Sequence, residues 1–429
     1  MRQRTVFSIR YLAIAMILLM LVSIVNVADK ELLAPVAGTV QSELGMSDTQ
    51  LGMVRSAVFL AALLGQLFWG PLSDRWVRKY VITTGTLIWS AITWLTALVT
   101  NFPQLLIARA SMSFAEGCFN PSAYALITDT APKRRHGLVL GLMSLTYPVG
   151  TAAALVVASL IGTENWRQPF VIYGIIGLFL GILVLIIIRE PQRGASEEAL
   201  QEIDGVYTGR FSMVEFRKVL RVPTLWLAFG LDTCQAAVNW SFAFWAPIYL
   251  TRYQIAPTPE AAALALLPAI LGFVLGAVIG GIVIDRLRKK TALAAVWVAL
   301  TAMVGGFIMA MVVFSRSELA QLMTAAFFLG LLTYMVMPAV NMIMFGVVPP
   351  EAKASTISAS NVILNLVTAF ISLFIGISAD RYGLRFGFGG AVLFMYLVGI
   401  VVCLALIKRY PQDMQVRDQQ VAGKIAVKN

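Results

Sequence analysis

Long apolar runs separated by short polar segments make up most of the chain. A helix that crosses a bilayer needs about 20 mostly apolar residues, whereas a transmembrane β-strand alternates apolar and polar positions over about 10 residues. The runs here are continuous, so the pattern predicts an all-α membrane protein. Twelve segments are long enough, numbered here as spans 1 to 12: Tyr11–Val36, Thr49–Leu72, Tyr80–Val99, Gln104–Thr128, Gly137–Ile161, Pro169–Ile188, Pro223–Thr251, Glu260–Ile284, Thr291–Phe314, Ala320–Val347, Ser355–Ala379 and Phe386–Ile407.

Three spans are preceded by residues that favour the start of a helix. Ser47 with Gln50, and Ser315 with Glu318, have the spacing of a capping box. Thr258 is followed by proline, which suits the first helical position. These patterns predict helix starts just before spans 2, 10 and 8.

Lysine and arginine are distributed unevenly between the polar segments. Of the 33 basic residues, 25 lie in segments on the side of the two termini, five lie on the opposite side, and three lie inside spans. Cytoplasmic loops carry this kind of excess. We therefore expect both termini in the cytoplasm, and the protein as a multi-pass component of the plasma membrane, of the bacterial inner-membrane type.

The composition argues against several other classes of protein. Hydrophobic residues make up 59% of the chain and charged residues 13%, against about 45–50% and about 25% in soluble domains. The net charge of +11 follows from the basic loops, so no nucleic acid partner is expected. Three separated cysteines and one histidine, His136 in a basic loop, predict no disulfide framework, no metal and no cofactor.

The two halves of the chain repeat each other. The segment at 70–79 joins spans 2 and 3, and a related segment at 281–290 joins spans 8 and 9, at an offset of 211 residues. The longest hydrophilic stretch divides the spans six and six. We predict one six-helix bundle at 1–188, a cytoplasmic linker at 189–221, a second bundle at 222–407 and a cytoplasmic tail at 408–429. Like-oriented repeats are typical of one class of secondary transporter.

The pattern G-x-L-x-D-R-x-x-R-K at 70–79, with its weaker copy at 281–290, resembles the signature of the major facilitator superfamily. The resemblance covers the whole chain. Within that superfamily, LGMSDTQLG at 44–52, ALITD at 125–129 and REP at 189–191 resemble Spinster-type transporters, and organic anion:cation symporters share much of this pattern. The resemblance implies two pseudo-symmetric six-helix bundles that work by alternating access, with proton-linked movement of lysolipid-like amphiphiles or of small organic acids.

Ionisable residues inside the spans are expected to face water, because they are costly in hydrocarbon. Asp29 in span 1, with Arg109 and Glu116 in span 4, forms the candidate proton-coupling cluster. Arg109 and Glu116 are seven residues apart and share a helical face. Burial raises the proton affinity of a carboxyl group and a nearby arginine lowers it, so movement of Arg109 would switch proton binding. The alternative is a static network of ion pairs that joins the two spans.

The Spinster resemblance implies the same roles. Spinster-type transporters carry Asp-Arg in span 1 and arginine and glutamate in span 4, and Asp29, Arg109 and Glu116 match these positions. Lys30 stands where that pattern has arginine. Bidentate binding of an anion by this residue is therefore not expected.

A second group of residues is expected to gate the pathway. Asp74 at a helix N-terminus would be stabilised by about 0.3–1 kcal/mol, and Arg75 and Arg78 would pair across the two halves when the inner side is closed. The alternative is that the loop motif only sets topology, and that Glu31 and Arg55 snorkel to the outer surface. The gating candidates are Glu31, Arg55, Gly70, Asp74, Arg75, Arg78, Asp285 and Arg286.

A third group is expected to bind the substrate. Gln235 and Asn239 follow Asp232 by three and seven residues, so all three share one face of span 7. The alternative for this face, and for the asparagines of span 11, is polar contact between helices. The substrate-binding candidates are Asn26, Lys30, Arg109, Tyr147, Asp232, Gln235, Asn239, Trp240, Asn361 and Asn365.

Aromatic side chains crowd the outer half of span 7, at Trp240, Phe242, Phe244, Trp245 and Tyr249. They would form either an apolar wall for a lipid-like substrate or the aromatic belt that lies at the membrane interface.

The chain lacks an ATP-binding motif and the His, Asp or Ser cluster of a membrane enzyme. We therefore expect a monomeric, proton-coupled secondary transporter and not an enzyme. Its partners would be protons, membrane lipid and a small molecule, for which the aromatic span 7 favours an amphiphile; a small organic anion is the alternative. A receptor or scaffold with the same fold is a further hypothesis, and only a flux assay would distinguish it from a transporter.

Overall fold

The computed structural model describes residues 8–131, 136–191, 220–315, 318–348 and 353–422. Regular secondary structure in these residues is entirely helical, as the sequence predicts. The helices are α1 Ile9–Glu31, α2 Leu33–Leu44, α3 Asp48–Arg75, α4 Arg78–Thr96, α5 Phe102–Glu116, α6 Phe119–Thr130, α7 His136–Ser144, α8 Thr146–Ile161, α9 Arg167–Ile187, α10 Pro223–Arg252, α11 Pro259–Leu287, α12 Ala294–Ser315, α13 Leu319–Val347, α14 Lys353–Tyr382 and α15 Leu384–Ala422.

Nine stretches of helix in the described residues are long and apolar enough to cross a membrane. They correspond to nine of the predicted spans; spans 3, 4 and 7 are absent from this set. Span 4 consists of α5 and α6, which have 15 and 12 residues and are separately too short. Spans 3 and 7 are the continuous helices α4 and α10. Their mean hydropathy is lowered mainly by Arg78 and Lys79 in α4 and by Asp232, Gln235 and Asn239 in α10. The count of twelve spans stays a prediction.

The three predicted helix starts are confirmed, two of them with the predicted cap. Ser47 and Gln50 form a reciprocal capping box at the start of α3. Thr258 Oγ1 accepts a hydrogen bond from the main-chain N of Ala261 at 3.2 Å. The third helix also starts where predicted, at Leu319, but its predicted capping box is wrong, since Ser315 is the last residue of α12 and Glu318 makes no side-chain capping bond.

Prolines coincide with the interruptions inside spans 1, 4 and 5. A proline ring clashes with the carbonyl group four residues earlier. α1 and α7 end four residues before Pro35 and Pro148, and α5 ends five residues before Pro121. Pro247, in contrast, lies inside the continuous helix α10. The packing around each proline therefore decides whether it ends a helix.

The chain divides into two compact units, one of Met1–Glu202 with Thr258–Ala263 and one of Ile203–Pro257 with Leu264–Asn429. In the first unit, α1 packs against α8 and α9, α3 against α5, and α4 against α9 and α5. In the second, α10 packs against α13, α14 and α15. α1 and α10 are thus each surrounded by neighbours of their own unit.

Each unit contains a helix crossing in which a glycine touches the backbone of the neighbouring helix. A Cβ atom at Gly65 of α3 would overlap the main-chain O of Phe114, and one at Gly276 of α11 would overlap the main-chain O of Leu331. Gly65 and Gly276 are 211 residues apart, which is the offset of the two loop motifs. The repeat in the sequence therefore corresponds to a packing contact that is built twice.

Candidate functional site

Three consecutive charged residues at the end of α1 form three ion pairs with two neighbouring helices. Asp29 Oδ1 lies 3.0 Å from Arg109 Nη1, and Lys30 Nζ lies 3.4 Å from Glu116 Oε2. Glu31 Oε1 lies 2.8 Å from Arg55 Nη2. Successive residues of a helix point about 100° apart, so these three side chains require protein partners around much of α1. We call the six residues Asp29, Lys30, Glu31, Arg55, Arg109 and Glu116 the α1 charge cluster.

The end of α1 adds main-chain acceptors to this cluster. The last four carbonyl groups of a helix have no partner within the helix. Arg109 Nη2 donates to the main-chain O of Asp29 at 2.6 Å, and Arg55 Nη1 donates to that of Lys30 at 3.2 Å. Positive charge at a helix C-terminus is also favoured by the helix dipole. Each arginine therefore neutralises a carboxylate and also donates to a main-chain carbonyl group at the end of α1.

The carboxylate of Asp29 has a second partner that the sequence did not indicate. Thr93 of α4 donates its hydroxyl group to Asp29 Oδ2. Asp29 is 1% exposed and Arg109 is 1% exposed. This pair is therefore withdrawn from solvent, and each carboxylate oxygen of Asp29 accepts a hydrogen bond.

Glu116 has a different environment from Asp29. It is 3% exposed, and in the described residues neither of its carboxylate oxygens accepts a hydrogen bond. Its ion-pair partner is Lys30, whose side chain is 20% exposed and also donates to Asn26 Oδ1 at 3.2 Å. The sequence grouped Arg109 with both acids, and the structure pairs it with Asp29. Glu116 is thus the less constrained of the two candidate proton-binding groups.

Glu31 and Arg55 are buried, with side chains that are each 2% exposed. The interpretation that they snorkel to the surface is therefore wrong, and the expected pair between them exists. Arg55 also lies over the ring of Phe59, 5.1 Å from its centroid. The α1 charge cluster contains three acids and three bases, so it has no net charge when all six groups are ionised.

Arg78 of the inner loop motif has two acidic partners that the sequence did not indicate. Its guanidinium lies 2.7 Å from Asp129 Oδ2 and 2.8 Å from Glu190 Oε1, both within the first unit. Pairing of Arg78 across the two halves in an inward-closed state stays a prediction. Burial alone would lower the pKa of Arg78, but the hydrogen bonds with Glu190 and Asp129 raise it overall, so this guanidinium stays charged.

The other gating candidates are mostly exposed. Arg75, Asp285 and Arg286 are exposed, and a Cβ atom at Gly70 would meet only open space. Asp285 pairs with Arg288, at 3.4 Å, on its own helix. The side chains of Asp74 and His136 lie outside the described part of the structure, so the role expected of Asp74 stays a prediction.

The second unit contains one acid of the expected substrate face. Asp232 is partly exposed, and its Oδ2 accepts a hydrogen bond from Ser360 Oγ of α14 at 2.6 Å. Gln235 and Asn239 are buried, at 6% and 4% exposure. Ser360 was missed because the sequence offers no sign of which polar residue of span 11 faces span 7.

The remaining substrate candidates lie in different surroundings. Asn361 is exposed, and its main-chain O accepts a hydrogen bond from Nδ2 of the buried Asn365 at 2.7 Å. Tyr147 and Trp240 are partly exposed. The asparagines of span 11 are therefore joined along their own helix.

The aromatic residues of α10 are mostly interior. Phe242, Phe244, Trp245 and Tyr249 are at most 3% exposed. Phe242 and Tyr249 both pack against Phe388 of α15, with ring centroids 5.6 Å and 6.1 Å apart. The interpretation as an interfacial belt is therefore wrong for these four residues, which are core of the second unit. Their burial also removes them as an accessible wall for a lipid-like substrate.

A family model described as the Major Facilitator Superfamily matches residues 19–369 and 271–428. A probable L-galactonate transporter of Escherichia coli (strain K12) is 28% identical over 284 residues, which are 64% of this chain and 62% of that protein. A hexuronate transporter of Bacillus subtilis (strain 168) is 26% identical over 276 residues, 64% of each chain. The sphingosine-1-phosphate transporter SPNS2 of Danio rerio is 24% identical over 311 residues, 68% of this chain and 60% of that protein. The chain thus spans about three fifths of the length of these curated relatives.

Solved structures share the fold over nearly the whole chain. A bacterial homologue of the human lysosomal transporter Spinster, in an inward-facing conformation, superposes with a TM-score of 0.77 at 18% identity, over 99% of this chain and 100% of that one. The nucleoside transporter NupG gives a TM-score of 0.70 at 14% identity, over 92% and 99%. With a family model that matches most of its length and this fold, the chain belongs to the Major Facilitator Superfamily, a family of membrane transporters and not of enzymes.

Proposed function

We propose that this protein is a secondary active transporter that couples the movement of a small molecule to protons by alternating access. The observation that carries the proposal is the state of Glu116, a buried carboxylate without a hydrogen bond in the described residues, beside the partly exposed Lys30. A buried acid of this kind gains a proton easily, because its ionised form is poorly solvated. One charge crossing the membrane supplies about 2.3 kcal/mol per 100 mV, equivalent to a ~50-fold gradient of substrate.

In this proposal the two acids of the α1 charge cluster have separate tasks. The carboxylate of Asp29 stays bound to Arg109 and Thr93 and takes no part in the exchange of the proton. Glu116 binds and releases the proton, and its protonation frees Lys30 from its ion pair. Lys30 is then available to an anionic group of the substrate. Proton and substrate are thereby coupled through one lysine.

For the substrate we propose a small organic anion such as a sugar acid. The relatives at 28% and 26% identity are named as transporters of L-galactonate and hexuronate, and Lys30 is a single cation suited to one anionic group. A lysophospholipid-like amphiphile, to which the sequence first pointed, is the second candidate. It is favoured by the 24% identity to a sphingosine-1-phosphate transporter, but the burial of the α10 aromatics removes its structural support.

The test is uptake into proteoliposomes that contain the full chain, with a pH difference imposed in each direction. The panel comprises galactonate, glucuronate and gluconate, together with lysophosphatidylglycerol and lysophosphatidylethanolamine. We expect at least one sugar acid to accumulate above its equilibrium level in one direction, and a protonophore to abolish the accumulation. If a panel member is transported to the same extent with and without the pH difference, proton coupling is overturned. A protein that moves none of them would overturn the proposed substrates.

A further inference from the structure

Asp232 is an acid within a predicted membrane span that has no basic partner in the described residues. Its one polar contact is the hydrogen bond from Ser360. It is the tenth residue of the 30-residue helix α10, which places it about 14 Å from the start of that helix at 1.5 Å per residue. A carboxylate at such a depth is costly unless a cation compensates it.

The chain itself does not supply that cation in its described part. The α1 charge cluster is balanced, with three acids and three bases. α10 packs against α13, α14 and α15, and none of the described charged groups on these helices forms an ion pair with Asp232. These groups are Asp380, Arg381, Arg385, Lys408, Arg409 and Asp413.

A second polar group on the same face also has no partner. Gln235 is three residues after Asp232 and therefore shares its face of α10. It is 94% buried, being 6% exposed, and makes no hydrogen bond in the described residues. Because the amide group of Gln235 has no partner among the described residues, it can form hydrogen bonds with a bound molecule. A ligand with N–H donors would satisfy the carbonyl oxygen of Gln235 and the free oxygen of Asp232 together.

We propose that Asp232 binds an ammonium group of the substrate, with Gln235 as a further acceptor, so that the preferred substrate carries an amino group. The proposal rests on the proposed function and adds to it a preference for amino-bearing acids, such as amino sugar acids, over otherwise identical acids without the amino group. The negative charge of Asp232 weakens the binding of an acid that lacks this ammonium group. Ser360 Oγ donates to Oδ2 of the carboxylate, which leaves Oδ1 to accept a hydrogen bond from an ammonium group.

The experiment compares matched ligands that differ in one amino group. Glucosaminate and gluconate form one pair, and lysophosphatidylethanolamine and lysophosphatidylglycerol of the same acyl chain form the other. Binding to the detergent-purified full chain is measured by isothermal calorimetry at constant pH. In the wild-type protein we expect the amino-bearing member of one pair to bind at least about tenfold more tightly, the effect of one charge-assisted hydrogen bond.

Variants then assign this preference to Asp232. Asp232→Asn keeps the shape of the side chain and should abolish the preference for the amino group, whereas Asp232→Glu should restore part of it. Glu318→Gln removes one negative charge from an exposed position of the same unit and should leave the preference unchanged. If Asp232→Asn does not fold, Asp232→Glu tests the assignment, because the longer side chain should weaken the preference, and a preference equal to that of the wild type would overturn it.

Two results would overturn the proposal. One is equal binding of both members of each pair by the wild-type protein. The other is a preference that survives in Asp232→Asn while the pH dependence of uptake changes, since Asp232 would then bind a proton and not the substrate. The proposed function fails separately, because its test is proton-driven flux in wild-type proteoliposomes. Proton-driven flux of gluconate without a preference for glucosaminate would reject the ammonium site and keep the transporter.

Discussion

Arg109 binds Asp29 at two points, through its carboxylate and through its main-chain carbonyl group, at 3.0 Å and 2.6 Å. In a continuous helix that carbonyl oxygen would be occupied by the amide four residues later. Here α1 ends at Glu31, and the oxygen receives only a long bond of 3.4 Å from the main-chain N of Leu32. The planar guanidinium, with donors fixed in a fork, therefore stabilises a buried charge and a helix end at once.

Replacement of Arg109 by glutamine should lower the free energy of unfolding by about 3–5 kcal/mol, because it leaves the Asp29 carboxylate buried without its base. The measurement is the thermal midpoint in detergent. Arg167→Gln is the matched control, since Arg167 also contacts a carboxylate, that of Glu43, and a main-chain O, that of Val99. The Arg167 side chain is 27% exposed, so its loss should cost under about 1 kcal/mol. Equal decreases in the thermal midpoint of both variants would contradict the expectation that burial of the ion pair determines the loss of stability.

Glu116→Gln should abolish proton-driven accumulation while exchange of substrate across the membrane continues. Glutamine keeps the size of the side chain but cannot gain or lose a proton. The two modes are separated in proteoliposomes by an imposed pH difference and by counterflow at equal pH. Glu43→Gln, at an exposed acid of the same unit, should retain both modes. Accumulation that persists in Glu116→Gln would remove this residue from the coupling role.

Pro35→Ala should join α1 and α2, because it removes the clash that frees the last carbonyl groups of α1. We expect slower hydrogen exchange at the amides of residues 32–34 and 36, unchanged or higher thermal stability, and reduced transport as Arg55 loses its bond to the main-chain O of Lys30. Pro247→Ala in the continuous helix α10 should leave local exchange unchanged. Exchange at 32–34 and 36 as fast as in the wild type would show that proline does not cause this break.

Gly276→Ala should destabilise the second unit by about 1–3 kcal/mol or more, because the added methyl group overlaps the backbone of α13 and cannot be accommodated by side-chain movement. Gly281→Ala is on the same helix and meets nothing within 4 Å. It should be neutral or stabilise by up to about 1 kcal/mol, the helix propensity of alanine over glycine. The measurement is the thermal midpoint of each variant. Similar midpoints would contradict the close contact of Gly276 with the backbone of α13.

Arg78→Gln should lower the free energy of unfolding by about 1.5–3 kcal/mol, since two carboxylates then face each other without their shared base. Adding Glu190→Gln should recover part of this loss, because one acid is removed with the base. Thermal midpoints of the single and double variants give the coupling. A double variant less stable than Arg78→Gln would show that repulsion between Asp129 and Glu190 is not the cause.

The charged residues of the site could be named from the sequence, but their pairing could not. Asp29, Lys30, Glu31, Arg55, Arg109 and Glu116 stand out because charge is rare in apolar runs. Helical periodicity shows that Arg109 and Glu116 share a face, yet it cannot decide that Arg109 takes Asp29 and leaves Glu116 to Lys30. That choice depends on the rotation and height of α1 relative to α5. Both change when Pro35 ends α1.

Polar residues of neutral type were the hardest to assign. Thr93 and Ser360 hydrogen-bond to the two acids, but threonine and serine are common in transmembrane helices for many reasons. The aromatic residues of α10 misled the sequence interpretation for a related reason. Their composition suits both a core and an interface, and only their neighbours, such as Phe388, distinguish the two.

The sequence by itself determined the helical class, the positions of most spans, the duplicated loop motif and the set of buried charges. These follow from local chemistry, because hydrocarbon demands long apolar helices and tolerates few ionisable groups. The tertiary structure alone decided which prolines end a helix, which base each acid binds, and that Asp232 has no base in the described residues. These features depend on contacts between side chains that are distant in the sequence. Whether a charge is compensated is decided by such contacts, so it cannot be read from any one segment.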